Sequence, residues 1–250
     1  MKIFKLLLIF TCLITINKVK AQNIPSKLHL GTVAYIKQSK VIDTAAFKKS
    51  SSIFIKNMID SVKSQAIAVK TTLKEDTSGI NDMTAAFEML MFQEIFKTEL
   101  TEKYIDELQK DKIANFIIET EGNKRERFNF NYADHLVYNS YNSEEIENYF
   151  DSEEITSLKE YKTERKVIKG YNCFKIVYIY REKFDNEEFH MPKMIMEREL
   201  WVTDKIIVPF HSIVRSPEIL SKYYPIEITE KMKGVNGFET SYVIENISIK

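Results

Sequence analysis

Apolar positions recur along this chain with two periods, and the change from one to the other divides it. Leu28, Leu30, Ala34 and Ile36 share one face at period two, which predicts a strand over 28–36. Asp43 or Thr44 then offers a helix cap. Phe47, Phe54, Ile55, Met58, Ile59 and Val62 follow at three- and four-residue steps, an apolar stripe with lysines and serines opposite. Residues 66–73 read as a second strand and Thr77-Ser78-Gly79 as a turn. From Asp82 on, Phe87, Leu90, Met91 and Ile95 keep helical spacing. Tyr104, Ile105 and Leu108 continue it after a fresh start at Thr101 and Glu102.

Beyond residue 113 the period becomes two. Phe128, Phe130 and Tyr132 alternate with Arg127, Asn129 and Asn131, as in a half-buried strand. Residues 143–150 read as a short acidic helix, 161–168 as a strand, Lys169-Gly170 as a hairpin turn and 171–181 as the return strand. In that return strand Phe174, Ile176, Tyr178 and Tyr180 point one way, and Tyr171, Cys173, Val177 and Ile179 the other. A strand apolar on both sides has to be covered on both. Further strands are expected at 194–202, 211–214, 226–232 and 240–249, with Pro192, Pro209, Pro217 and Pro225 between the runs, where proline least disturbs a ladder. Successive strands on short turns make an antiparallel sheet. The expected class is therefore α+β: one curved, half-barrel-like antiparallel sheet packed on a helical layer.

The N-terminus changes where this fold is expected to work. Lys2 and Lys5 precede an apolar run over 6–16, and Val19-Lys20-Ala21 places small residues before a cleavage point, the three parts of a secretory signal peptide. Residues 1–21 are read as that signal and 22–250 as a single domain, with 80–112 as a candidate helical insertion. The run is too short to span a bilayer core of about 30 Å, and Cys12 inside it lacks the small-residue pair of a lipid anchor. The full chain balances 36 basic against 36 acidic residues. The signal carries four lysines and no acid, so the mature surface turns mildly acidic and offers no footprint for nucleic acid. Of the two cysteines only Cys173 survives cleavage, so no internal disulfide is available and the fold rests on its core. Only 6 glycines and 5 prolines leave little material for linkers or low-complexity segments.

Short catalytic patterns are missing: no Gly-x-Ser-x-Gly, His-Glu-x-x-His, phosphate-cradling glycine loop or Cys-x-x-Cys occurs, and no cofactor is expected. The histidines, His29, His135, His190 and His211, lie far apart, each without a sequence-local partner to orient it. His190, Met191, Met194 and Met196 bring an imidazole and soft thioethers together, a set that suits Cu(I). Pro192 and Lys193 interrupt it, and methionines filling one face of a strand account for it better. Glu187 and His190 have a di-metal spacing in a single copy. The acids at Glu144, Glu145, Glu147, Asp151, Glu153 and Glu154 lack calcium-loop spacing, so no metal site is expected from either. Cys173, amid apolar neighbours, reads as an inert buried thiol.

One stretch carries a resemblance. Ile168-Lys169-Gly170-Tyr171-Asn172-Cys173-Phe174-Lys175 resembles the Ile-x-Gly-Tyr-x-Cys-x-Lys segment of the exported GLPGLI family of Gram-negative bacteria, and Glu199-Leu200-Trp201-Val202-Thr203 resembles that family's next strand. The motif positions are Ile168, Gly170, Tyr171, Cys173 and Lys175. Where the namesake Gly-Leu-Pro-Gly-Leu-Ile would follow, this chain has Leu220-Ser221-Lys222-Tyr223-Tyr224-Pro225-Ile226-Glu227-Ile228, which marks a divergent relative. The resemblance implies no activity. By fold analogy it implies a half-barrel like that of lipoprotein carriers. The expectation is thus an exported protein of the periplasm, outer-membrane surface or medium, not membrane-spanning once its signal is removed and not an enzyme. It would be a binding or carrier module for a lipid, another apolar ligand or an exported peptide, or alternatively an interaction protein of the envelope whose hollow is filled by its own side chains.

Overall fold

A computed structural model describes residues 30–73, 95, 96, 98, 101–109, 113–120, 124–141, 145–150, 152–182 and 194–250. Eleven strands form one sheet: β1 (Gly31–Val41), β2 (Glu102–Leu108), β3 (Ile113–Thr120), β4 (Lys124–Asn131), β5 (Leu136–Asn139), β6 (Glu145–Asn148), β7 (Glu153–Ile168), β8 (Tyr171–Glu182), β9 (Ile195–Thr203), β10 (Tyr224–Met232) and β11 (Phe238–Ile249). Helix α1 (Thr44–Leu73) follows β1, and a single turn, α2 (Pro217–Leu220), precedes β10. The order across the sheet is β6-β5-β4-β3-β2-β1-β11-β10-β9-β8-β7, antiparallel throughout.

That order dictates curvature. β6 and β7 are consecutive in the chain yet stand at opposite margins of the sheet, with only residues 149–152 between them. A flat sheet would hold its margins about 48 Å apart, at ~4.8 Å per gap, whereas the link reaches at most ~18 Å. The sheet therefore rolls until its margins approach, although no ladder forms between them. Alternation then assigns faces. Into the hollow point Val33 and Tyr35 of β1, Asp106 and Leu108 of β2, Phe116 of β3, Phe130 of β4, Ile176, Tyr178 and Tyr180 of β8, Leu200 and Val202 of β9, and Ile226 and Ile228 of β10. All of these are buried.

The mainly-β outcome trims the expected helical layer to α1 and one turn among the described residues. Asp43 caps α1 as anticipated, its Oδ1 accepting from the N–H groups of Ala45 and Ala46, both at 3.0 Å. The helix start is fixed to the β10–β11 turn. Ile42 N–H donates to Gly237 O at 2.8 Å, and Asn236 N–H donates to Ser50 Oγ at 2.9 Å. At Gly237 (φ +77°) an added Cβ would stand 2.2 Å from Asp43 O, so only glycine admits the helix this closely. No described helix is long and apolar enough to cross a membrane.

Several local expectations are corrected. Residues 66–73 belong to α1, not to a strand: no breaker separates them from Val62, and extending an existing helix adds one bond per residue fixed. The helix expected through Tyr104, Ile105 and Leu108 is instead β2. Positions four apart share a face at either period, and β1 and β3 supply ladders on both sides. Residues 80–94 of the candidate insertion, Phe87 among them, lie outside the described residues. The acidic helix at 143–150 is replaced by β6, paired to β5. Pro225 sits within β10, where the pairing with β9 slips by one residue. The strand expected at 211–214 does not form at all, and its residues build the site described next.

Candidate functional site

Between β9 and β10 the chain leaves the sheet for residues 204–223, a connection far longer than a hairpin needs. Much of it turns into the hollow: Ile206, Val208, Phe210, His211, Ser212, Ile213, Val214, Ser216, Ile219 and Leu220 are all buried. Phe210 packs on the rings of Phe130 (5.1 Å) and Tyr149 (5.4 Å), themselves 4.4 Å apart, with Phe116 at 5.9 Å. An irregular buried segment carries backbone polar groups that need partners, and inward side chains of the sheet provide them. Tyr149, in the link that joins the sheet margins, accepts from His211 N–H at 2.9 Å and faces the carbonyls of His211 and Val214. Arg198 donates to Ile213 O at 3.1 Å, and Ser212 N–H donates to Asp106 Oδ2 at 3.3 Å.

His211 lies at the centre. Its Nδ1 accepts from the N–H groups of Ile213 (3.0 Å) and Val214 (3.2 Å), so the ring hydrogen is on Nε2 and is directed at the Tyr35 hydroxyl, 3.0 Å away. The Tyr35 hydroxyl in turn donates a hydrogen bond to Pro225 O at 2.8 Å. Burial, helped by Arg198 nearby, pushes His211 down to about 3, and the ring is neutral. Asp106 is fully buried as well. Burial pushes its carboxyl up to about 7, against the hydrogen bonds from Ser212 and Tyr224 that favour the anion. Both bonds fall on Oδ2. Oδ1 and the neighbouring Ser212 Oγ are the two buried side-chain atoms among the described residues without a bonding partner.

Arg198 marks a boundary across the hollow. It is paired with Glu153 and Glu230, both nearly buried, and its Nη1 also donates to the Tyr178 hydroxyl at 2.8 Å. Tyr180 donates to Glu230 at 2.8 Å. Register explains the meeting: Arg198 and Glu230 are direct cross-strand partners, and Tyr178 is opposite Arg198 on β8. Beyond them the same inward face is not filled by residues 204–223. A cavity of about 270 Å³ remains there, walled by Lys37 and Ser39 of β1, Glu102 of β2, Met196 of β9, Glu230 and Met232 of β10, Phe238, Thr240 and Tyr242 of β11, and Ile95. Phe238, at its rim, packs on Phe47 of α1 (5.5 Å) and on Phe96 (5.3 Å).

The sequence motif lies elsewhere. Ile168, Gly170, Tyr171, Cys173 and Lys175 lie together on the β7–β8 hairpin, whose turn uses Lys169 (φ +49°) and Gly170 (φ +86°). Cys173 is buried with its thiol pushed up to about 11, opposite Lys166, which lies over the Trp201 ring at 4.2 Å and binds Glu227 at 2.6 Å. Those stems are the outer cover of β8. Tyr171, Val177 and Ile179 are only half-buried there. Lys175 pairs with Glu164 and lies over Tyr161. A second depression, about 320 Å³, opens beside Cys173 between Lys162, Arg165, Asp204 and Lys205. Of the copper candidates, His190 and Met191 lie outside the described residues, while Met194 precedes β9 and Met196 lies within it, directly opposite Met232. His29, Glu144 and Asp151 are also outside them. Glu153 leaves the acidic run to enter the hollow.

Sequence reading missed Asp106, Tyr149, Arg198 and Glu230, yet a signal was there: Asp106 between Tyr104 and Leu108, Arg198 between Met196 and Leu200, and Glu230 between Ile228 and Met232 each interrupt an apolar alternation on its inward side. No family model, curated protein or solved structure matches the chain.

Proposed function

We propose that this chain is an exported, non-catalytic binding or carrier module of the bacterial envelope, a divergent relative of the GLPGLI proteins. Its ligand, small and at least partly apolar, occupies the cavity beyond Arg198. One observation carries this reading: an inward sheet face closed by the chain's own residues over most of its extent keeps about 270 Å³ of unfilled space beside Met196, Met232 and Phe238. At about 30 Å³ per water-sized group, that volume takes roughly nine such groups, a short ligand or the end of a longer one. The hairpin with Gly170, Tyr171 and Cys173 supports the relationship. The charged run, apolar stretch and Val19-Lys20-Ala21 at the N-terminus support export.

The alternative is an interaction protein of the envelope with a self-filled hollow, and the burial of Ile206, Val208, Phe210 to Val214 and Ser216 favours it. One preparation separates the two. Protein purified from the extracytoplasmic fraction should begin at Gln22 and should either carry a small ligand in native mass spectrometry or bind an apolar fluorescent probe that Met232→Trp excludes. A clean protein that ignores the probe supports the alternative, and a chain retaining residues 1–21 in the cytoplasm removes both.

A further inference from the structure

The chemistry of the ligand follows from the atoms left over on the cavity wall, and this step rests on the binding reading above. Glu102 uses Oε2 for both of its bonds, from Lys37 Nζ and from the Tyr104 hydroxyl, each 2.9 Å. Glu230 also uses Oε2 alone, toward Tyr180 and Arg198. The Oε1 atoms of these two wall carboxylates take no hydrogen bond from a described residue. The hydroxyls of Ser39 and Thr240 bond each other at 2.8 Å. Among the described residues the paired cations do not balance these acids: Arg198 is shared between Glu153 and Glu230, and Lys37 serves Glu102, three carboxylates to two cations. Arg215, the cation that acts on Tyr104, lies over the Tyr149 ring on the filled side and has further partners of its own. The remaining wall is Met196, Met232, Phe238, Ile95 and Tyr242, soft and mostly apolar.

We infer that the cavity binds a small amphiphilic amine, its ammonium against Glu102 and Glu230 and its short apolar body against Met196, Met232 and Phe238. An ammonium brings three donors and the missing positive charge, and charge-assisted bonds of this kind are about twice as strong as neutral ones. A carboxylate head would bring a second negative charge to a wall already in excess.

Calorimetric titration of the mature protein at pH 7 with octylamine, octanol and octanoate tests this. Octylamine should bind about tenfold tighter than octanol, with octanoate weakest. Glu102→Gln should weaken octylamine about tenfold and octanol much less, while Lys37→Gln, which frees Glu102 Oε2, should tighten octylamine. The unfolding temperature of each variant checks that the fold is intact, and the opposite signs of the two variants separate charge recognition from general damage. Equal affinity for amine and alcohol, or a preference for octanoate, overturns the amine assignment while the cavity reading stands. Failure of all three probes overturns both.

Discussion

The two ends of the hollow are built from the same strands and have opposite characters. At one end Val33 and Tyr35 of β1, Leu200 and Val202 of β9, and Tyr224 and Ile226 of β10 close on the 204–223 connection, and all six of these side chains are buried. Two or more pleats further along the same strands, Lys37 and Ser39, Met196, and Glu230 and Met232 face a cavity. Strand alternation sets the inward direction equally at both ends, so pattern does not make the difference. The β9–β10 connection is long enough to fold back over one end only, and it is fastened there through its backbone by Tyr149, Asp106 and Arg198. A buried loop is tolerated because its peptide groups are met, whereas the other end keeps charged side chains that remain partly solvated.

Four measurements sharpen that contrast. The largest effect belongs to the boundary: Arg198→Met strands Glu153 and Glu230 without their cation and should cost about 3–5 kcal/mol in urea unfolding. A loss below about 1 kcal/mol would mean that the two ends are not divided by this group.

Next comes the pH response of the filled end. Asp106, raised from 3.8 to about 7, makes folding more favourable at low pH, and that contribution disappears as pH rises through 7. His211, lowered from 6.5 to about 3, acts in the opposite sense, its contribution being complete above 6.5 and lost as pH falls toward 3. Between roughly pH 4 and 6.5 the pair holds one proton in either state, on His211 when unfolded and on Asp106 when folded, so the two slopes cancel. Asp106→Asn leaves the histidine alone, and its stability should rise with pH by about 1.4 kcal/mol per unit relative to wild type across that window. His211→Gln should show the reverse slope. A pH-independent difference from wild type in both variants would contradict the assignment of the proton.

A smaller loss is expected from Tyr149→Phe, which removes one hydroxyl from three backbone groups of the buried segment: about 1–3 kcal/mol, with faster amide exchange at His211. The smallest belongs to the cavity end. Thr240→Val breaks the bond to Ser39 where solvent can replace it and should cost under about 1 kcal/mol. An equal cost for Tyr149→Phe and Thr240→Val would erase the distinction between the ends.

Much of this molecule was legible residue by residue. Alternation located β4 and β8 to β11, because a strand between two others must alternate or be apolar throughout; β1 was found as a strand but with Ala34 and Ile36, not the inward Val33 and Tyr35, on its apolar face, and of the marginal β7 only the second half was read. Asp43 gave the start of α1, and Lys169-Gly170 gave the β7–β8 turn. β2 and β6 were misread because Tyr104 and Leu108, four apart, satisfy both periods, and because four residues such as Glu145–Asn148 are too few to show any period. The site was less legible. Asp106, Arg198 and Glu230 are visible as charges out of place in apolar alternations, but their partners come from β7, β8 and the 204–223 connection, far away in the chain.

By itself, the sequence determined most of the extended segments, the apolar sides of β8 and where a helix begins, since these depend on neighbours two to four residues away. The tertiary structure alone decided that the sheet rolls up, because that follows from joining its two margins through residues 149–152. It also decided that most of residues 206–216 go inside and that a cavity survives beyond Arg198, because both depend on which groups meet across the hollow, and burial then sets their charge.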